Sequence, residues 1–268
     1  MKRKGIHCPT IEDVIEISGI ETLHPGGMAL TKRTGQVAAL KPGVRALDVS
    51  TGRGTQAVYY ATEFGAHVTG VDLAEEMLES ARANAHAAGV ADRVVFRQGD
   101  SQCLPFEDST FDATINECAV GIPDDSQAVL NEMARVTKPG GIVVMHESTW
   151  RAKLSGDEKE EISERYGTTP LEFEEWIRAL EEAGVADIRT EFDEWSKPEM
   201  FWKIRRDRDV DHPSRVFSTT ERLRTMMRVL PKFGLRGVLK AFENANLFFS
   251  AVTAGKLGYC LYWGRRAA

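Results

Sequence analysis

The chain has no uninterrupted apolar run of about 18 residues, so a membrane-spanning helix is not expected. Its four cysteines, Cys8, Cys103, Cys118 and Cys260, form no Cys-x-x-Cys pair. No histidine lies at zinc-ligand spacing from them, so neither a metal site nor a disulfide framework is expected. The basic start MKRKGIH is followed by Glu12, Asp13 and Glu16, which interrupt the apolar stretch a secretory signal needs. The chain is therefore read as soluble and cytoplasmic. Disorder is excluded by 42% hydrophobic residues and a net charge of only −6 over 268 residues.

Short β-rich runs alternate with helical stretches from about residue 44 onward. VRALDVS, HVTGVDL, RVVFRQGD, FDATINE and IVVMHES read as five strands, separated by helices such as TQAVYYATEFG and DSQAVLNEMARV. VADIRTEFDEW reads as a sixth strand and LGYCLYWGRR as the seventh. This alternation implies right-handed βαβ units, a mostly parallel Rossmann-like sheet of seven strands, and helices on both faces. KPGG at 138–141 is expected to stop a helix before the fifth strand. The expected organisation is an N-terminal helical segment at 1–40, a core at 41–195, a helical cap inserted between strands six and seven at 196–256, and the last strand at 257–268.

The insertion is basic. Residues 203–240 carry eleven Lys and Arg against four Asp and Glu, a net of +7, interleaved with Leu223, Met226, Met227, Leu230, Leu235, Leu239 and other apolar residues at helical spacing. The favoured reading is a helical cap with a solvated basic face. Peripheral contact with an anionic membrane surface or substrate stays open.

The loop ALDVSTGRGTQA follows the first strand. Glycines at 52 and 54 let the backbone approach a ligand closely, and Asp72 closes the second strand, where a carboxylate can accept from both hydroxyls of a ribose. A nicotinamide dinucleotide needs G-x-G-x-x-G, whereas here Ser50 stands first and residue 57 is alanine. A carboxylate at Asp48 and no third glycine suit a cofactor with an ammonium group better than one with a diphosphate.

LDVSTGRGT, GVDLAEEMLESAR, GDSQCLPFEDSTFD and LNEMARVTKPGGIVV, in this order, resemble the successive motifs of the class I S-adenosylmethionine-dependent methyltransferases, small-molecule branch. The resemblance covers residues 40–148. It implies that Asp48 and the loop of Ser50, Gly52 and Gly54 lie against the methionine end of S-adenosylmethionine. It also implies that Asp72 binds the ribose, that Leu73 and Met77 flank the adenine, that Asp100 and Ser101 meet the adenine amino edge with Gln102 nearby, and that Asn116 lies under the sulfonium. Glu117, His146 and His24 are the candidate catalytic residues, with Glu117 the favoured base or orienting group. Cys118, Glu147 and Trp150 are weaker candidates.

NECAVGIPDD also resembles the stretch of arsenite methyltransferases in which a cysteine follows the fourth strand. Those enzymes use a further cysteine past the fifth strand, and this chain has none between Cys118 and Cys260. Two alternatives to a small-molecule methyltransferase therefore remain: an arsenite or thiol methyltransferase using Cys118, and a non-catalytic S-adenosylmethionine-binding protein. Nucleic acid is not expected as a partner, since the chain is acidic and no N/D-P-P-Y motif follows the fourth strand. A monomer or homodimer is expected.

Overall fold

A computed structural model describes residue 17 and residues 24–268, apart from Asp124 and Asp211. Most of the N-terminal helical segment expected at 1–40, with Cys8, lies outside the described residues. The chain divides into two compact units. One comprises Ala29–Ser148, Leu171–Asp193 and Cys260–Ala268, and the other falls within Met1–Met28, Thr149–Pro170 and Glu194–Tyr259.

The first unit is built on a sheet. In chain order its elements are α1 (Gly27–Val37), β1 (Arg45–Val49), α2 (Thr55–Phe64), β2 (His67–Asp72), α3 (Glu75–Ala87), β3 (Val94–Gln98), β4 (Phe111–Glu117), α4 (Ser126–Val136) and β5 (Thr137–Trp150). After α5 (Gly156–Tyr166) come β6 (Leu171–Glu172), α6 (Phe173–Glu182), β7 (Val185–Glu191) and, at the C-terminus, β8 (Leu257–Arg266). The strand order is β3-β2-β1-β4-β5-β8-β7, and the two-residue β6 pairs with β5 off this path. The seven expected strands are thus present, and β6 is an addition the sequence did not announce.

β1 pairs in parallel with both β2 and β4. Such a strand is covered by helices on both faces, which is why Ala46, Leu47 and Val49 are all buried and the run reads as continuously apolar rather than alternating. β7 returns antiparallel to β8. The chain runs outward from β1 to β3 and then jumps back to β4. That reversal splays the loops after β1 and β4 apart and leaves a crevice at their carboxyl ends.

KPGG does not form the expected turn ahead of the strand. β5 already starts at Thr137, opposite Phe111, and the register shifts before Ala113 meets Ile142, so residues 138–141 are taken up as a bulge. α4 is fixed at its start by Asp125, whose side chain accepts the Ala128 N–H, and it buries Val129, Leu130, Met133 and Val136 against the sheet core. α6 buries Trp176 completely.

The second unit is helical. It contains α5, α7 (Pro198–Phe201), a 3₁₀ turn at Pro213–Arg215 and α8 (Thr219–Thr253). α5 and α8 both open with a capping box, Ser155 with Glu158 and Ser218 with Glu221. α8 contains Pro231 and breaks at Gly234, whose φ of 65° and ψ of −177° are not helical. An aromatic cluster of Tyr166, Phe201, Trp202, Phe248 and Phe249 packs the unit, with Tyr166 and Phe248 ring centroids 4.6 Å apart.

The basic character of this unit is only partly a solvated face. The Arg205 side chain is 3% exposed and is held by Asp207 at 2.8 Å and Glu221 at 3.0 Å. Burial opposes ionisation of Glu221, yet hydrogen bonds from Arg205, Ser218 and Arg208 pull its carboxyl down to about 2.

Gly54 begins α2 with φ +70°, and a Cβ there would lie 2.7 Å from the Phe96 ring and 2.8 Å from the Ala81 methyl. Gly54→Ala is expected to destabilise the protein by about 2–4 kcal/mol, left-handed strain adding to overpacking. Urea unfolding followed by circular dichroism measures this, and a midpoint equal to the parent's would refute it.

Candidate cofactor and active site

A cavity of about 510 Å³ opens at the switch point, between the ends of β1, β2 and β3 and the loop after β4. Ser50, Asp72, Leu73, Asp100 and Ser101 line it together, with Gln102 beside them. Ala119, Ile122 and Pro123 form a wall that sequence reasoning did not name.

Asp72 organises the near side. Its Oδ2 accepts the Gly52 N–H at 2.8 Å and its Oδ1 accepts the Ala74 N–H at 3.0 Å. Each carboxylate oxygen retains acceptor capacity beyond these single bonds. Gly52 has φ +53°, and a Cβ built on it would meet nothing within 4 Å. The space in front of it is therefore open to a ligand that needs to reach the backbone.

Asp100 forms the far side. Its Oδ1 accepts the Gln102 N–H at 2.8 Å, an Asx turn that leaves Oδ2 with no recorded partner among the described residues. The loop behind it is braced from α4: Arg135 donates to the Leu104 and Phe106 carbonyls and to Asp108, and Glu132 accepts the Leu104 N–H. The Arg135 guanidinium holds the Glu132 carboxyl below its ordinary range. Nothing in the motif reading pointed to Arg135.

Leu73 is 69% exposed and Ile122 53% exposed. Apolar side chains this open at the mouth of a polar cavity fit an aromatic base lying between them. Two carboxylates at the ends of neighbouring strands, a serine hydroxyl and apolar walls together fit an adenosine-containing group.

Five of the expected cofactor residues lie outside the cavity walls. Asp48 is 2% exposed and faces inward, accepting from the Thr51 hydroxyl at 2.5 Å. Asn116 is fully buried, its amide donating to the Val49 carbonyl at 3.2 Å and its oxygen accepting the Ala119 N–H at 3.0 Å. Neither these two nor Met77, Gly52 or Gly54 is among the cavity walls. Asp48 and Asn116 instead hold the loops after β1 and β4 in shape.

At the ends of β4 and β5 the structure brings Glu117 and His146 together, His146 Nε2 lying 3.1 Å from Glu117 Oε2 with both side chains buried. Thr31 of α1 donates to Glu117 Oε2 at 2.9 Å, and the Tyr60 hydroxyl of α2 donates to Oε1. Thr31 and Tyr60 carried no sequence signal, because their partner is distant along the chain. Glu147 points elsewhere, accepting the Val120 and Gly121 N–H groups. His24 belongs to the helical unit, where its ring stacks on Tyr259 at 6.5 Å with planes 3° apart. Trp150 is buried in that unit.

The model of a methyltransferase domain family matches residues 46–141. That span begins in β1 and ends in the β5 bulge, and so contains the cavity and both of its carboxylates. The chain carries a class I S-adenosylmethionine-dependent methyltransferase domain. S-Adenosylmethionine is the cofactor of that class. The chain is 36% identical to the 27-O-demethylrifamycin SV methyltransferase of Amycolatopsis mediterranei over 120 residues, 45% of this chain and 44% of that one. It thus spans less than half the length of this named methyltransferase. An uncharacterized protein of Haemophilus influenzae is 27% identical over 89% of this chain and 94% of its own length. Among solved structures, the phosphoethanolamine N-methyltransferase 2 of Haemonchus contortus, determined with S-adenosylmethionine, has the same fold. It superposes with a TM-score of 0.69 at 22% identity, covering 97% of this chain and 58% of that one. Among the described residues of this chain no helix is long and apolar enough to cross a membrane.

Burial pushes the Asp48 carboxyl up to about 8; the Thr51 hydroxyl opposes this, and the charges of Glu117 and Asp72 add to it. An unfolded aspartate ionises near 3.9, so between about 4 and about 8 the folded, cofactor-free protein holds a proton that the unfolded chain does not. Stability attributable to this residue falls as pH rises through that window and is level above it. Asp48→Asn removes the dependence. Its melting temperature relative to the parent's is expected to climb from pH 4.5 to pH 8.5; a constant difference would show that Asp48 ionises normally.

Ser50 occupies the left-handed region at φ 59°. Ser50→Gly is expected to relieve strain of about 1 kcal/mol and raise the melting temperature by about 2 °C. A lower melting temperature by differential scanning calorimetry would contradict this.

Proposed function

We propose that the protein transfers a methyl group from S-adenosylmethionine to a small-molecule acceptor, with Asp72, Asp100, Leu73, Ser101 and the Ser50–Gly54 loop holding the cofactor. The observation that carries this reading is the cavity at the switch point, where two carboxylates, Asp72 and Asp100, and the Ser50 hydroxyl line one space suited to an adenosine and its amino-acid tail. Asp72 binds the ribose hydroxyls through the lone pairs left by Gly52 and Ala74. Asp100 accepts from the adenine amino group, and the Ser50 hydroxyl donates to the carboxylate of the methionine end. Asp48 acts one step back, fixing the loop through Thr51 rather than touching the cofactor.

The cofactor supplies an electrophilic methyl on a sulfonium, so the protein has only to align an acceptor, exclude water and take up a proton where the acceptor carries one. Glu117 and His146 are the groups available for the last task. Thr31 and Tyr60 fix the Glu117 carboxylate, which leaves His146 as the partner able to relay a proton to or from it. Arsenic or thiol chemistry using Cys118 is the weaker reading, because no second cysteine lies between Cys118 and Cys260 to share the ligation. A non-catalytic role is the remaining alternative, and product formation decides against it.

Asp72→Ala is expected to weaken S-adenosylmethionine binding by roughly 100-fold by isothermal calorimetry, the loss of about two charge-assisted hydrogen bonds. Unchanged affinity would refute the assignment. Glu117→Gln is expected to leave that affinity within about threefold while lowering turnover by roughly 10²–10⁴ in a panel screened for S-adenosylhomocysteine release. Failure of every acceptor class, with cofactor binding intact, would favour the non-catalytic alternative.

A further inference from the structure

The helical unit contains a second cavity, of about 370 Å³, whose lining among the described residues comes from 212–249. α8 supplies both of its long walls. Before the break at Gly234 the lining residues are Arg222, Thr225, Met226 and Val229, and after it they include Val238, Ala241, Phe242 and Ala245. Each set recurs at three- and four-residue spacing, so each arm turns one face toward the cavity. The break, with Pro231 just before it, is what separates the arms.

The lining is polarised. Val229, Val238, Phe242 and Met226 are apolar, while His212, Ser214, Arg222 and Thr225 are polar. Arg222 is anchored by donating to the Ser214 carbonyl at 2.6 Å and the Phe217 carbonyl at 3.1 Å, which fixes its positive charge at that end. The Thr225 side chain is buried, and its hydroxyl has no hydrogen-bond partner among the described residues. A buried hydroxyl left unpaired is costly, and a ligand oxygen would satisfy it. Phe242, by contrast, is 52% exposed and Met226 37% exposed, so large apolar walls face open space.

We propose that this cavity binds a single-chain anionic amphiphile, its carboxylate or phosphate head at Arg222 and Thr225 and its hydrocarbon tail along Val229, Val238 and Phe242. At the low end of the ~300–1,000 Å³ range of ligand sites, the volume takes one chain rather than the two of a bilayer lipid. The site shares no lining residue with the first cavity and does not depend on the methyltransferase reading.

cis-Parinaric acid, a fluorescent long-chain carboxylate, tests this when titrated into the full-length protein below its micelle concentration. Saturable binding at one site per chain is expected. Ala241→Trp and Val238→Trp, which fill the cavity, are expected to weaken it by tenfold or more, and Arg222→Gln and Thr225→Val by roughly three- to tenfold. Thr225→Val adds no bulk and so remains informative where a tryptophan variant fails to fold. Leu239→Lys, on an exposed residue outside the lining, is expected to leave affinity unchanged. Absence of saturable binding, parental affinity in Thr225→Val and the folded tryptophan variants, or an equal loss in Leu239→Lys would each overturn the proposal, the last by showing adsorption to the apolar surface. Calorimetry with S-adenosylmethionine on the same preparations reports the cofactor site separately.

Discussion

The carboxylate of Asp72 is the constraint on which the cofactor side of the fold rests. By accepting from Gly52 on one oxygen and Ala74 on the other, it ties the loop after β1 to the turn after β2. The Thr51 N–H, donating to the Val71 carbonyl at 2.9 Å, makes the same connection through the backbone. The two loops therefore cannot move independently. A ligand that engages Asp72 meets two loops already tied together, so little ordering remains at the moment of binding.

A second anchor works from the opposite side of the crevice. Asn116 joins the Val49 carbonyl to the Ala119 N–H, and Glu147 holds the Val120 and Gly121 N–H groups. Both side chains are buried, where an unsatisfied amide or carboxylate would be costly, and both are satisfied by the loop they shape. Rigidity on this side comes from buried polar groups rather than from packing alone. The wall formed by Ala119, Ile122 and Pro123 is placed by them.

The sheet was legible from sequence because parallel strands and their crossover helices repeat a pattern of local periodicities, and the reversal between β3 and β4 follows from that order. That Asp72, Asp100, Leu73 and Ser50 gather at one cavity could be read for the same reason, since each sits at or just past the carboxyl end of a strand. What local pattern could not supply was direction. Asp48 and Asn116 also lie at strand ends, but the pleat turns them inward. Glu117 is satisfied by Thr31 and Tyr60 from two helices, 86 and 57 positions away, and no local rule links those residues. In the helical unit the apolar spacing was readable, whereas the fate of the charges was not. Arg205 is buried because Asp207 and Glu221 happen to converge on it, and helical spacing carries no information about such convergence.

Two non-glycine residues with positive φ stand at the carboxyl ends of the two strands that flank the crevice: Ser50 at 59° after β1, and Cys118 at 65° after β4. Each conformation costs on the order of 1 kcal/mol for a residue with a Cβ, and glycine would adopt either more cheaply. Each is over-determined by its neighbours, the Cys118 N–H donating to the His146 carbonyl at 3.0 Å and the residue after Ser50 pairing with Val71. A strained backbone persists only where surrounding bonds hold it, and here those bonds come from β5 and β2, the strands that also carry His146 and Asp72. Strain at the crevice and placement of its functional groups are thus produced by the same cross-strand contacts. The hydroxyl of Ser50 and the thiol of Cys118 are held at positions where a side chain is conformationally unfavourable, which marks these two as the places where this chain's crevice is chemically particular.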